Sequence, residues 1–458
     1  MAQAQSSDSS SLPSPFQIPA PQQGGSGFQG SVVEEKPTEG VLPLSLDDAI
    51  QRGLRHNLGL ILSTVTTTSA NGSRLQELQD LLPTVDASMK ESVQQVSLAA
   101  QGLRISGFPS VIGPFGYTDI RTSLNWSLLN IASLRNYLAA RHNFQGSKLS
   151  VQDARDLVTL TVGNAYFLVI ADKARIQSAQ AQVDTSKVSL DQAVQNHQAG
   201  TAPLLDELRA RVDYQTQQQT LITAQNQYEK DKIALARVIG LPLEQRFELT
   251  DQAPYAALDE VDPDTAVKEA IQNRSDLKAM QEQVMSAEKA RSAATAERFP
   301  TISFAGDYGA IGPTLGQSHG TGEATGTLSV PVYEEGKLRG DAQQAQAQLE
   351  SRRAQFSDLQ GQINADVRDS ILDIKAAQKQ VEVSRSNVQL ANEALSEAQQ
   401  RYAAGVSDNL PVSQAQQSVA QANDQYVSSL YQHNIAKLSL ARALGVAETH
   451  YKNYVGGK

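Results

Sequence analysis

Ser318 occupies the one arrangement in the chain that resembles a covalent catalyst. Gly316-Gln317-Ser318-His319-Gly320 fits the Gly-x-Ser-x-Gly pattern, in which a tight strand-to-helix turn exposes a nucleophilic hydroxyl. That chemistry needs a buried strand before the serine and a helix after it. Here the surroundings are a glycine-rich loop, so a chance match is expected. Gly320-Thr321-Gly322 with Gly326 comes near a dinucleotide fingerprint but leads toward a strand instead of a helix. Histidines such as His56, His142 and His197 lack ligand spacing. The chain has no cysteine, which removes thiolate nucleophiles, thiolate metal sites, disulfides and lipidation on an N-terminal cysteine. No catalytic residue, cofactor or metal is therefore expected, and the chain reads as something other than an enzyme.

Composition narrows what remains. Of 458 residues only 40% are hydrophobic and 5% aromatic, which suits long thin elements with much wet surface better than a large globular core. A formal net charge of -10 argues against nucleic acid, whose phosphates would be repelled. The most apolar stretch, residues 157–170, falls short of the ~20 residues a membrane-spanning helix needs. Any membrane crossing must then be made by strands. Residues 2–40 are rich in Ser, Pro, Gln and Gly and lack the apolar core of a signal peptide. They read as a flexible arm on a chain that is either cytoplasmic or already processed, and the elements below favour an exported, processed protein.

The second half of the chain repeats the first. At a constant offset of 205, Val183 pairs with Val388, Leu190 with Leu395 and Gly200 with Gly405. The run Leu235-Ala236-Arg237, two aliphatic residues and Gly240 matches Leu440-Ala441-Arg442, two residues and Gly445. Each half is predicted to run helix, strand, loop, strand, very long helix, turn, helix. Caps at Ser45 and at Asp264-Thr265 mark the opening helices. Ile120, Leu124, Trp126 and Leu128 alternate with polar residues, as do Leu328 and Val330 in the second half, a period of two that gives each strand one dry and one wet face. Residues 107–116 and 309–322 read as exposed hairpin loops. The following helices carry heptad seams of mostly small residues, Ile176, Ala179, Val183, Ser186, Leu190, Ala193 and their counterparts, and turn back on themselves at Gly200 and Gly405.

Four two-faced strands cannot seal themselves in lipid, because an open sheet leaves backbone groups unpaired at both edges. Several chains must share one barrel. Ile120, Leu124, Trp126, Leu128, Leu328 and Val330 would face lipid, and three chains would supply an even number of strands within the usual barrel range. The fold class expected is α+β membrane protein, with coiled-coil helices continuing the barrel into water.

The twin openings at residues 46–58 and 265–277, the turns at Gly200 and Gly405, and the Leu-Ala-Arg endings resemble those of outer membrane efflux proteins of the TolC type, over residues 44–446. The resemblance implies a homotrimer with a transmembrane β-barrel in outer-membrane lipid and a helical barrel in the periplasm. It also implies a periplasmic adaptor and an inner-membrane pump as partners. The function implied is passive export through a tripartite efflux or type I secretion system, of small molecules or proteins. It places adaptor docking and the channel entrance at Gly200, Thr201, Leu205, Asp206, Gly405, Val406, Asp408 and Leu410. Pro411 and Gln414 stand where relatives place acidic residues, so no strong carboxylate ring is expected. Two roles are open to Asp206 and Asp408, capping the returning helices and gating.

The domain expectation follows: an arm over 1–43, a first repeat over 44–250 and a second over 251–447, with a tail over 448–458. The first repeat has its hairpin at about 83–128 and helices at 133–197 and 204–239; the second has its hairpin at about 300–332 and helices at 337–403 and 409–444. A coiled-coil scaffold or adhesin without a pore is the alternative, though such a protein has no use for strands with one lipid-facing side.

Overall fold

Chain order is set by helix caps and breaks. In the computed structural model, which describes residues 26–33, 36–100, 102, 106–251, 255–258 and 260–455, a short strand β1 (Leu42–Leu44) leads into α1 (Leu46–His56). The Ser45 hydroxyl accepts a hydrogen bond from the Asp48 N–H at 3.1 Å and so caps α1. Each half opens with two helices where the sequence suggested one. Asn57 leaves the helical region (φ -66, ψ 128), and its side chain accepts from the Gly59 N–H at 3.0 Å to start α2 (Leu58–Gln79).

Two antiparallel strands, β2 (Thr84–Ser97) and β3 (Val111–Leu129), then lead to α3 (Ile131–Gln198) and α4 (Leu204–Ile239). The inter-repeat segment contributes β4 (Phe247–Leu249), which pairs in parallel with β1. The second half repeats the plan with α5 (Pro263–Asn273), α6 (Ser275–Ala296), β5 (Thr301–Gly312), β6 (His319–Ser329), α7 (Glu335–Ala403) and α8 (Leu410–Ala443), followed by α9 (Ala447–Val455). Asp262 caps α5 by accepting from the Thr265 N–H at 2.9 Å, two residues earlier than the expected Asp264 cap, because Pro263 supplies the first helical position.

More than half of each expected hairpin loop, 107–116 and 309–322, is strand; the first connection shifts to 98–110 and the second shortens to 313–318. Ladder bonds join backbone to backbone, so glycine does not prevent pairing: Tyr308 pairs with Gly322 and Ala310 with Gly320. Ser318 lies in the short connection, donates to the Thr314 carbonyl at 2.8 Å and is followed by β6, so the helix a nucleophile elbow requires is not there.

At ~1.5 Å per residue, the 68 residues of α3 and 69 of α7 are rods of about 100 Å. Their seams bury Ala179, Val183, Ser186 and Ala193 in the first hairpin and Val381 and Ser384 in the second. Two hydrophobic clusters sit partway along the rods. One gathers Ile50, Val158, Val162, Tyr166, Ile239 and Leu438; the other gathers Ala270, Ile363, Val367 and Leu440. Among the described helices only α3 is long and apolar enough to span a bilayer, and half of that apolar window is buried.

Part of the expected flexible arm and most of the expected C-terminal tail are docked at this waist. Phe28 lies on Gly59, its carbonyl accepts from the Asn57 side chain at 2.7 Å, and β1 pairs with β4. At the other end α9 buries Tyr451, whose hydroxyl donates to Asp47, while Glu448 pairs with Arg155 at 2.5 Å. Residues 1–25 and 456–458 lie outside the described set.

Gly240 and Gly445 end α4 and α8 in the left-handed region (φ 73 and 72). Each abuts one of the two helix breaks: a side chain at Gly240 would strike His56, and one at Gly445 would come within 2.8 Å of the Arg274 Cα. Gly200 has the same φ sign with open space around it. Gly445→Ala should therefore lower stability by about 2–3 kcal/mol, against about 1 kcal/mol for Gly200→Ala, as read by thermal unfolding of the purified protein. Equal losses would show that packing against Arg274 contributes nothing.

Candidate functional site

Strand register decides what each sheet face presents. The order is β2-β3-β5-β6, and no described strand pairs with the outer edge of β2 or β6. Val85 pairs with Leu124 and Met89 with Ile120; Trp126 pairs with Phe304, and Ile302 with Leu328. Because paired residues share a face, these pairs build one apolar side across all four strands. Its members stand exposed in the single chain, Met89 at 63%, Leu328 at 65% and Tyr308 at 73%, which no water-facing sheet would tolerate over such an area.

The opposite face is polar. Arg121 donates from Nε to Asp119 at 3.0 Å and from Nη1 to Asp307, clamping β3 of the first repeat to β5 of the second. Gly309, paired with Arg121, leaves room for that side chain. Lys90, Ser123, Asn125 and Glu323 complete a hydrophilic wall.

Of the six strand positions expected to face lipid, Ile120, Leu124, Trp126 and Leu328 fall on the apolar side. Leu128 is the extra residue at a register shift between Ser127 and Leu129, so the alternation passes to Leu129, which pairs with Ile302. Val330 lies beyond the end of β6. Val85, Met89 and Val93 add to the expected set; from Val85 to Val93 every second residue of β2 is apolar except Glu91, whose charge interrupts the pattern before the register shift between Gln94 and Val96. The Trp126 indole donates to the Leu81 carbonyl at 3.2 Å, at the end of the sheet nearest the helices.

At the far end of the rods the two turns are built alike. The Gly200 N–H donates to the His197 carbonyl at 3.0 Å and the Thr201 N–H to Asn196 at 2.9 Å; Gly405 and Val406 repeat this with Tyr402 and Arg401, both at 3.0 Å. Leu205 (53% exposed), Val406 (71%) and Leu410 (42%) are presented to solvent, joined by Leu204 and Leu208. Leu204 and Leu208 go beyond the expected tip residues, and their place in the first two turns of α4 is what turns them outward.

Capping is not what the tip carboxylates do. The N-cap residues of α4 and α8 are Pro203 and Asn409, and neither makes a side-chain cap bond. Asp206 is buried and lies 3.7 Å from Arg209 on its own helix, whereas Asp408 is exposed.

Above the tips, charged pairs brace the waist, one within the second repeat and one between the repeats. Arg274, at the α5–α6 break, donates to Asp276 at 2.6 Å and to Asp366 at 3.0 Å. Burial alone would raise the Asp276 carboxyl, but the Arg274 bonds hold it below its ordinary range. Arg442 of the Leu-Ala-Arg ending reaches Asp153 on α3 at 2.5 Å; burial nevertheless raises Asp153.

A model of outer membrane efflux proteins matches residues 61–241 and again 266–446, both bounds displaced by 205. The chain belongs to the outer membrane efflux protein family. The family is one of transport proteins located in the outer membrane and reaching into the periplasm, and each repeat of this efflux protein is matched by its model separately. A relative, the probable efflux pump outer membrane protein TtgC of Pseudomonas putida, is 21% identical over 409 residues, covering 88% of this chain and 83% of its own length. A membrane protein from Pseudomonas aeruginosa superposes with a TM-score of 0.79 at 20% identity, over 87% of this chain and 93% of the other. The outer membrane protein VceC of Vibrio cholerae gives 0.77 at 18%, over 88% and 96%. These solved structures share the fold of this efflux protein.

Leu124→Lys should reduce insertion into outer membranes, since a lysine on a lipid-facing strand costs about 2–4 kcal/mol near the bilayer midplane. Ser123→Lys, on the polar face, should be tolerated. Quantifying membrane-inserted protein for both separates the faces; equal yields would reverse the assignment.

Proposed function

We propose that three copies of this chain close one twelve-stranded barrel in the outer membrane and extend it as a helical tube through the periplasm, forming the passive exit duct of a tripartite export system. The open outer edges of β2 and β6 beside a continuous apolar face carry this reading, because lipid tolerates neither unless neighbouring chains pair the edges. A strand of 19 residues such as β3 runs about 60 Å at ~3.3 Å per residue, enough to cross a membrane at the usual tilt and project beyond it. The polar wall around Arg121 then lines a water-filled lumen.

Gly200, Thr201, Leu205, Gly405, Val406 and Leu410 form the adaptor-docking tips, with an inner-membrane pump supplying the energy. Asp206, buried and paired with Arg209, positions the first tip, and Asp408 is the carboxylate free to face the entrance. A relative of the same identity and coverage is named a toluene efflux pump outer membrane protein, which favours export of small molecules over proteins here. The scaffold or adhesin alternative gains nothing from membership of this family.

Purified protein reconstituted in planar bilayers should conduct and should run as a trimer by mass measurement. A soluble, non-conducting monomer would end the proposal. Gly200→Val and Gly405→Val should impair export in cells while leaving assembly intact, since both turns need a positive φ that a β-branched residue resists. Unchanged export by both variants would remove the tips from docking.

A further inference from the structure

Below the waist, three helices meet over one buried carboxylate. Asp172 of α3 is 2% exposed. Its Oδ1 accepts from Arg175 Nη1 at 2.9 Å, while its Oδ2 has no hydrogen-bond donor among the described residues and the Asp231 carboxyl of α4 lies beside it. Asp231 in turn accepts from Gln227 at 2.7 Å. Arg175 is shared: Nε donates to Asp424 at 3.1 Å and Nη2 to Ser428 at 3.0 Å, both on α8. Tyr431 of α8 faces the same cluster, where burial raises its hydroxyl and Arg175 opposes that rise.

Two carboxylates facing each other with no hydrogen between them repel and leave an oxygen unsatisfied; a single proton turns the contact into an O–H···O⁻ bond. We propose that Asp172 and Asp231 form a proton-operated latch, which holds α4 against α3 when they share one proton and lets the helices separate when that proton is lost. The latch is a property of the α3–α4 hairpin and stands apart from the duct reading. Only its consequence for export rests on that reading: α4 carries Leu204, Leu205 and Leu208 at its tip end, some 40 Å from Asp172 at ~1.5 Å per residue.

Burial, followed by the hydrogen bond to Asp231, pushes Asp172 up to about 7, with Arg175 pulling the other way. Arg175 cannot cancel the shift fully because it also serves Asp424. A carboxyl raised above its ordinary value of 3.8 stabilises the closed hairpin most in acid, and that stabilisation is lost as pH rises through about 7. Closure in mild acid and loosening in mild alkali follow.

Since the chain has no cysteine, Lys187→Cys and Gln215→Cys, both at exposed positions on the tip side of the latch, can carry spin labels in the intact detergent-extracted protein, diluted with unlabelled chain. Pulsed electron paramagnetic resonance reads the α3–α4 separation at about pH 5.5 and about pH 8.5, on either side of the transition. A single short distance in acid and a longer, broader distribution in alkali are expected, with the midpoint near 7. Asp172→Asn and Asp231→Asn each place an amide N–H against the remaining carboxylate at every pH, so both variants should keep the short distance throughout. A pH-independent distribution in the parent, or a pH response that survives in both variants, would overturn the latch. Neither readout requires conduction, so the latch and the duct fail separately.

Discussion

Backbone hydrogen bonding at the two sheet edges governs this molecule. An edge strand crossing hydrocarbon leaves on the order of ten N–H and C=O groups facing outward, and each unsatisfied group costs several kcal/mol, a total in the tens of kcal/mol that no side-chain contact within one chain offsets. Domain stabilities of about 5–15 kcal/mol cannot absorb such a penalty. The apolar face makes exposure to water equally unfavourable, since Val85, Met89, Trp126, Tyr308 and Leu328 lie together on it. A sheet of this kind is an unfinished object, and neighbouring copies are the simplest way to finish it.

The waist is where the single chain is complete in itself. Both hydrophobic clusters lie there, together with the breaks at Asn57 and Arg274, the β1–β4 pair and the α9 helix. Gly240 and Gly445 let the ends of α4 and α8 pack directly on those breaks. The two repeats are also joined side chain to side chain, through Arg442–Asp153 at the waist and Arg121–Asp307 in the sheet. The rods extending from this hub have small seams instead of large cores, so their cohesion depends on close helix contact and on scattered polar bonds. A buried carboxylate such as Asp172, facing the half-buried Asp231, therefore carries more weight there than it would inside a thick core.

Much of this was legible from periodicity. The 205-residue offset, the heptad seams, the glycine turns and the alternation of Ile120, Leu124 and Trp126 all reflect local geometry that repeats along the chain, which is why sequence spacing exposes them. The helix breaks at Asn57 and Arg274 were hidden, because neither is a proline or glycine and both are stabilised by contacts from distant segments. Leu128 was misplaced for a related reason: a one-residue register shift belongs to the pairing of two strands, not to either strand alone. The glycine-rich stretches look like loops in sequence because glycine lowers strand propensity, yet ladder bonds and the space needed by Arg121 outweigh that preference. The Asp172–Asp231 contact joins residues far apart in the chain, and nothing in their spacing marked them.

The near identity in length of α3 and α7, at 68 and 69 residues, has a geometric result. One residue of difference amounts to ~1.5 Å along a rod of about 100 Å, so both turns of a chain finish at nearly the same level. In the proposed trimer the six turns would make a flush rim with approximate sixfold spacing, alternating between two chemistries, Leu204-Leu205-Asp206 and Val406 with Asp408 and Leu410. A partner bearing six similar contact sites could seat on such a rim even though only three chains build it, provided its grip tolerates a change of side chain at every second position.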